Sequence, residues 1–127
     1  MKVFYPAVFH EEDGSYWVEF PDIEGCHSFS DTLDEAMENA KDALESHLLA
    51  MLEEGLHIPE ASKVKEVKCD DNSFVTLIGA DLIDYGKCKA IKKTLTIPDW
   101  LNDMAVKQNI NFSQVLQQAL MERVIRK

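Results

Sequence analysis

Residues 91–97, IKKTLTI, alternate along the chain: Ile91, Lys93, Leu95 and Ile97 fall on one side, Lys92, Thr94 and Thr96 on the other. This period of two predicts a strand. Pro98 ends it, because proline has no N–H for a sheet. The spacing beyond is helical. Leu101, Met104 and Ala105, with Trp100 beside them, predict a helix over 99–108. Asn111 then caps a last helix, with Gln114 at the third helical position completing a capping box. Its apolar face is Phe112, Val115, Leu116, Ala119, Leu120 and Val124.

One strand and two helices within residues 90–127 cannot enclose a core, since units below about 40 residues need a metal, a disulfide or another chain. No metal-ligand set is present in this stretch. The simplest completion is a second copy, with the two strands antiparallel across a two-fold axis and four helices beneath. Ile91, Leu95 and Ile97 then form the dimer interface. Lys92, Thr94 and Thr96 stand outward on a two-stranded ribbon of the width that enters a B-DNA major groove. Asn111 and Ser113, at the start of the last helix, offer free N–H groups to a phosphate. The competing reading is a plain dimer seam with a solvated Lys/Thr edge.

The rest of the chain has a different character. Up to Lys89 it carries twenty acidic and seven basic side chains, a net −13; residues 90–127 carry three and six, a net +3. An acidic body and a basic terminal piece imply two different partners, or an acidic surface that serves solubility alone. The change of sign falls at "DYGKCK" (84–89), the expected linker between domains 1–84 and 90–127. No run approaches the ~18 apolar residues of a membrane span. The N-terminus reads as a strand and not as a signal peptide. Cys26, Cys69 and Cys88 show no CxxC spacing and are expected as reduced thiols of a cytoplasmic protein.

Within the acidic part, residues 2–9 and 16–20 predict a hairpin around Asp13-Gly14. Pro6 predicts a bulge or exposed edge nearby. A short third strand is expected around 26–29. Thr32 caps a long helix, with Glu35 completing a capping box and Gly55 ending it. Its apolar face runs through Leu33, Ala36, Met37, Ala40, Leu44, Leu48, Met51 and Leu52. Residues 72–82 predict a fourth strand after a loop. The fold class is therefore α+β, a small antiparallel sheet crossed by one long helix, followed by the β-α-α unit.

The segment TLTIPDWLNDMAVKQNINFSQVLQQAL resembles the ribbon-helix-helix family of DNA-binding proteins, in the order strand, proline, helix, capped turn, helix. Asn109 stands where that family commonly has glycine. Residues 1–85 resemble HicB antitoxins. Phe20-Pro21-Asp22-Ile23-Glu24-Gly25-Cys26 is the most specific part, supported by the run 31–36, DTLDEA. The resemblance implies an incomplete RNase H-like fold. It further implies a type II antitoxin that neutralises a HicA-like, basic, mRNA-cleaving toxin and represses its own operon by binding operator DNA as a homodimer or a higher oligomer.

Asp22 and Glu24, in the turn after the second strand, are candidate toxin contacts; they read equally as solvated loop acids. Asp13, Glu19, Asp22 and Glu24 form no dense carboxylate set for Mg²⁺ chemistry, so no catalytic activity is expected. His10, His27, His47 and His57 are scattered without zinc spacing, and no cofactor is expected. The alternative function is a ribbon-helix-helix regulator whose acidic domain senses a small ligand. No glycine-rich phosphate loop supports it.

Overall fold

A computed structural model describes residues 2–82 and 89–125. They fall into two compact units, the first being Lys2–Leu82. The expected linker at 84–89 lies, except for Lys89, outside the described residues.

The first unit is a four-stranded antiparallel sheet with strand order β3-β2-β1-β4 and one long helix against a face. Its elements are β1 (Lys2–Glu12), β2 (Ser15–Glu19), β3 (His27–Ser30), α1 (Leu33–Glu53) and β4 (Ser73–Asp81). The first hairpin is longer than the sequence implied. Residues 10–12 remain in β1 because Asp13 and Gly14 alone make the turn, with φ of 52° and 82°. Two consecutive left-handed residues match the twist of the flanking strands. The register follows: Glu12 faces Ser15, and His10 faces Trp17.

Pro6 sits in a central strand, yet costs no ladder bond to β2. That pairing begins only at Val8, while Pro6 faces Leu77 of β4. The side chain itself is wholly buried.

Side chains alternate across the sheet. Tyr5, Ala7, Phe9, Val18, Phe20, Ile78 and Ala80 are buried on the face that carries α1, and Ala36, Ala40, Leu44 and Leu48 are buried on the helix. The helix residues recur every four positions and form one line along it. Phe9, Val18, Leu44 and Leu48 are the largest wholly enclosed side chains of this face. Each such burial contributes about 1.5–3 kcal/mol. Leu33 and Met37, expected on the same face, are 42% and 40% exposed because they lie at its margin. Glu45 is buried and accepts the Asp81 N–H at 2.8 Å, pinning the helix to the end of β4.

The helix ends follow their signals with one change. Thr32 Oγ1 accepts the Glu35 N–H at 3.2 Å. The Glu35 carboxylate accepts the Ser30 hydroxyl instead, and Ser30 Oγ accepts the Thr32 N–H, so the box closes through a third residue. At the other end Leu56 N–H reaches Met51 O and Gly55 N–H reaches Leu52 O, the Schellman pattern with Gly55 at φ 78°.

The second unit contains α2 (Asp99–Lys107) and α3 (Phe112–Ile125). The α2 terminus repeats the Schellman bonds, from Ile110 to Ala105 and from Asn109 to Val106, with Asn109 at φ 55°. Asparagine tolerates that conformation without glycine. The expected strand at 91–97 is not formed in the single chain: residues 89–98 hold no secondary structure. A strand requires a neighbour, and the described residues of this unit hold no strand to pair with it.

Candidate functional site

Two surfaces carry the residues singled out from sequence. The first surrounds the 20–26 turn. Phe20 N–H bonds to Cys26 O, Ile23 N–H to Phe20 O, and Cys26 N–H to Ile23 O, at 3.0–3.2 Å. These bonds fold the segment into a closed loop. Phe20, Ile23 and Cys26 are buried by it, while Glu24 projects outward. Burial raises the Cys26 thiol to about 11, so it stays protonated and inert at neutral pH.

Asp22 does something the sequence did not indicate. Its two carboxylate oxygens accept the Ser62 hydroxyl at 2.6 Å and the Ser62 N–H at 2.8 Å, tying the 20–26 turn to the loop after α1. Tyr5 reinforces the tie by donating its hydroxyl to the Pro59 carbonyl. Desolvation, and then the Asp22 charge, raises the Tyr5 pKa above the usual value.

The loop is a ridge between two clefts that share Ile23 and Glu24. On one side, Asp22, Glu24 and Glu54 with His47 and His57 surround a floor of Ala50, Met51, Leu56 and Pro59, enclosing about 570 Å³. On the other, about 340 Å³ lies among Trp17, Glu19, Glu24, His27 and Phe29. The second cleft opens on the helix-free face of the sheet. There Ser73, His10, Trp17 and Phe29 stand directly opposite one another across all four strands.

That row is tightly built. His10 and Trp17 stack with ring centroids 3.8 Å apart at 13°. Ser73 Oγ lies 2.7 Å from His10 Nδ1 and donates to Asp70 Oδ1 at 2.8 Å. His10 Nε2 is 3.5 Å from Glu19 Oε1 and makes no hydrogen bond. Phe29, at the sheet edge, is 69% exposed. Sequence reading missed this surface because the row depends on register. Glu54, His47 and His57 were missed because they join the turn from more than twenty residues away.

The second surface is the 89–98 segment with its helices. Lys92, Thr94 and Thr96 are exposed, and so are Ile91, Leu95 and Ile97. The single chain therefore does not bring these three against the helices. Asn111 Oδ1 accepts the Gln114 N–H at 3.1 Å, so this side chain is engaged as the α3 cap. Ser113 is exposed in the first turn of α3. Among the described residues, no group of three or more His, Cys, Asp or Glu side chains could hold a metal ion. None of their helices is long and apolar enough to cross a membrane.

Residues 5–124 match the family described as "HicB_like antitoxin of bacterial toxin-antitoxin system", and the chain belongs to that family. An uncharacterized 14.9 kDa protein in the rep-hol intergenic region of Haemophilus phage HP1 is 34% identical over 99 residues, 76% of this chain and 74% of that protein. The antitoxin HicB of Pseudomonas fluorescens is 38% identical over 55 residues, 43% of this chain and 38% of the relative. The α+β fold is similar to that of the Burkholderia pseudomallei antitoxin HicB, with a TM-score of 0.64 and 26% identity over 95% of this chain and 98% of the other. A toxin–antitoxin complex from Streptococcus pneumoniae contains a chain with a TM-score of 0.63 and 28% identity, covering 97% and 99%.

Proposed function

We propose that this chain is a cytoplasmic type II antitoxin that works by binding and not by catalysis. Its acidic unit, an incomplete RNase H-like fold, holds a small basic HicA-like toxin and blocks its cleavage of mRNA. Two copies of its second unit pair as a ribbon-helix-helix module that binds operator DNA and represses the operon encoding the pair. The observation that carries this reading is the division of the molecule. The body up to Lys89 holds a net charge of −13, and a basic unit with a net +3 follows, exposing Lys92, Thr94 and Thr96 beside uncovered apolar side chains. A basic ribonuclease fits the first, a polyanion the second. The family and the S. pneumoniae complex support the toxin partner.

The His10–Ser73–Asp70 cluster does not change this reading. The Ser73 hydroxyl is committed to Asp70, and Trp17 lies flat on the imidazole, so the group locks β1, β2 and β4 together.

The test is paired. The full chain should stop RNA cleavage by the short basic protein that the proposed operon would encode beside it. Thr94→Ala and Thr96→Ala should each weaken operator binding by about 1–3 kcal/mol per lost contact while leaving the melting temperature unchanged. If Lys92 contacts phosphate, its loss from both chains should flatten the log-affinity against log-salt slope by about 2. Full operator affinity in the triple alanine variant would contradict the DNA-binding role.

A further inference from the structure

The helix-free face of the sheet presents an unusual combination. Trp17 and Phe29 face each other across adjacent strands, one ring backed by His10 and the other largely bare. Glu19 and Glu24 line the same cleft of about 340 Å³. The His27 and Phe29 rings pack edge to face, their centroids 6.0 Å apart at 83°, adding a further wall. Aromatic faces beside carboxylates form a receptor for a planar cation: the guanidinium lies over a ring while the acids take its N–H groups. Lysine satisfies only part of this, since its ammonium has no plane to stack and no fork to share between two acids.

An aromatic row on a four-stranded sheet is also the arrangement on which nucleic-acid bases stack. The charge decides between the two. The row lies in a body of net charge −13 and is flanked on its own face by Glu12 and Glu19, with Glu24 at the cleft. A phosphate backbone would be repelled there, whereas a basic protein would be attracted.

We propose that the Trp17–Phe29 cleft, with Glu19 and Glu24, is the docking surface that takes an arginine side chain of the basic partner protein. The proposal rests on the antitoxin reading above and specifies the surface that reading uses. The neighbouring cleft bounded by Glu54 and His57 has no Trp, Tyr or Phe ring in its lining and is not the anchor.

The experiment is calorimetric titration of the full chain with the short basic protein that the proposed operon would encode beside it, at two salt concentrations. Phe29→Ala and Glu24→Gln alter exposed side chains, so both variants should melt as the parent does; Trp17→Phe keeps a ring on His10. Phe29→Ala and Glu24→Gln should each weaken binding tenfold or more, Trp17→Phe less than Phe29→Ala, and Glu54→Gln less than threefold. The loss in Glu24→Gln should shrink at high salt. If the parent chain binds the basic protein and Phe29→Ala and Glu24→Gln bind it equally well, the cleft assignment is wrong and the antitoxin reading stands. If the parent does not bind it at all, both fail. A labelled single-stranded oligonucleotide supplies the other arm. Binding that is lost in Phe29→Ala and kept in the Lys92, Thr94 and Thr96 variants would overturn the proposal in favour of a nucleic-acid face.

Discussion

The two units of this chain solve the problem of burial differently. In Lys2–Leu82 the helix line Ala36, Ala40, Leu44, Leu48 closes over Phe9, Val18 and Phe20, and the core side chains are almost fully withdrawn from water. Among the described residues of the second unit only Ala105 is buried, while Ile91, Leu95, Trp100, Met104, Val115, Leu120 and Val124 are each more than half exposed. Side chains this apolar, recurring at strand and helix spacing, are not a solvent surface. The first unit encloses its core within one chain; on the proposed reading a second copy would enclose the second.

The comparison is sharpened most by removing a large core side chain from the complete unit. Phe9→Ala should destabilise it by about 3–5 kcal/mol, the range for emptying a packed aromatic site. A urea melt followed by near-UV signal measures this, and the native mass at low denaturant should not change. Leu95→Ala makes the opposite case. In a single chain this residue is 57% exposed and its loss would be nearly neutral. Enclosed in a dimer it should cost about 2–5 kcal/mol, read as a weakened dimer in sedimentation equilibrium. Asn111→Ala should cost about 1 kcal/mol, because the Gln114 N–H loses its acceptor.

The smallest expected effect concerns pH. Burial lifts the Cys26 thiol from 9.0 to about 11. Between those values the unfolded chain releases its proton before the folded one does. The stabilising contribution is whole below pH 9 and is lost as pH rises toward 11. Urea midpoints at pH 8 and 10.5 should therefore differ less in Cys26→Ala than in the parent. A thiol reagent at pH 8 should modify exposed Cys69 and spare Cys26.

The same contrast explains what could be read in advance. Local chemistry was legible: Asp13-Gly14 turns the hairpin, Thr32 and Asn111 cap α1 and α3, and Gly55 and Asn109 end α1 and α2. Each signal lies within a few residues of its effect. Distant chemistry was not. The bonds from Ser62 to Asp22 span forty residues, and no periodicity announces them. They make Asp22 a staple of the ridge, whereas Glu24 remains free to meet a partner. Ser30 takes the Glu35 carboxylate from the capping box because β3 delivers its hydroxyl there, a consequence of strand position. The aromatic row needed the register of four strands. The strand expected at 91–97 from its alternation is not formed in the single chain, because alternation by itself supplies no hydrogen-bonding neighbour.

The claim that the second unit is half a structure is tested most directly by the native mass of the full chain. Light scattering behind size exclusion, at micromolar concentration and physiological salt, should give twice 14.5 kDa or a multiple of it. The dimer should dissociate in Leu95→Ala at concentrations where the parent holds. A single-chain mass for the parent, with the 99–125 helices intact by circular dichroism, would contradict the account.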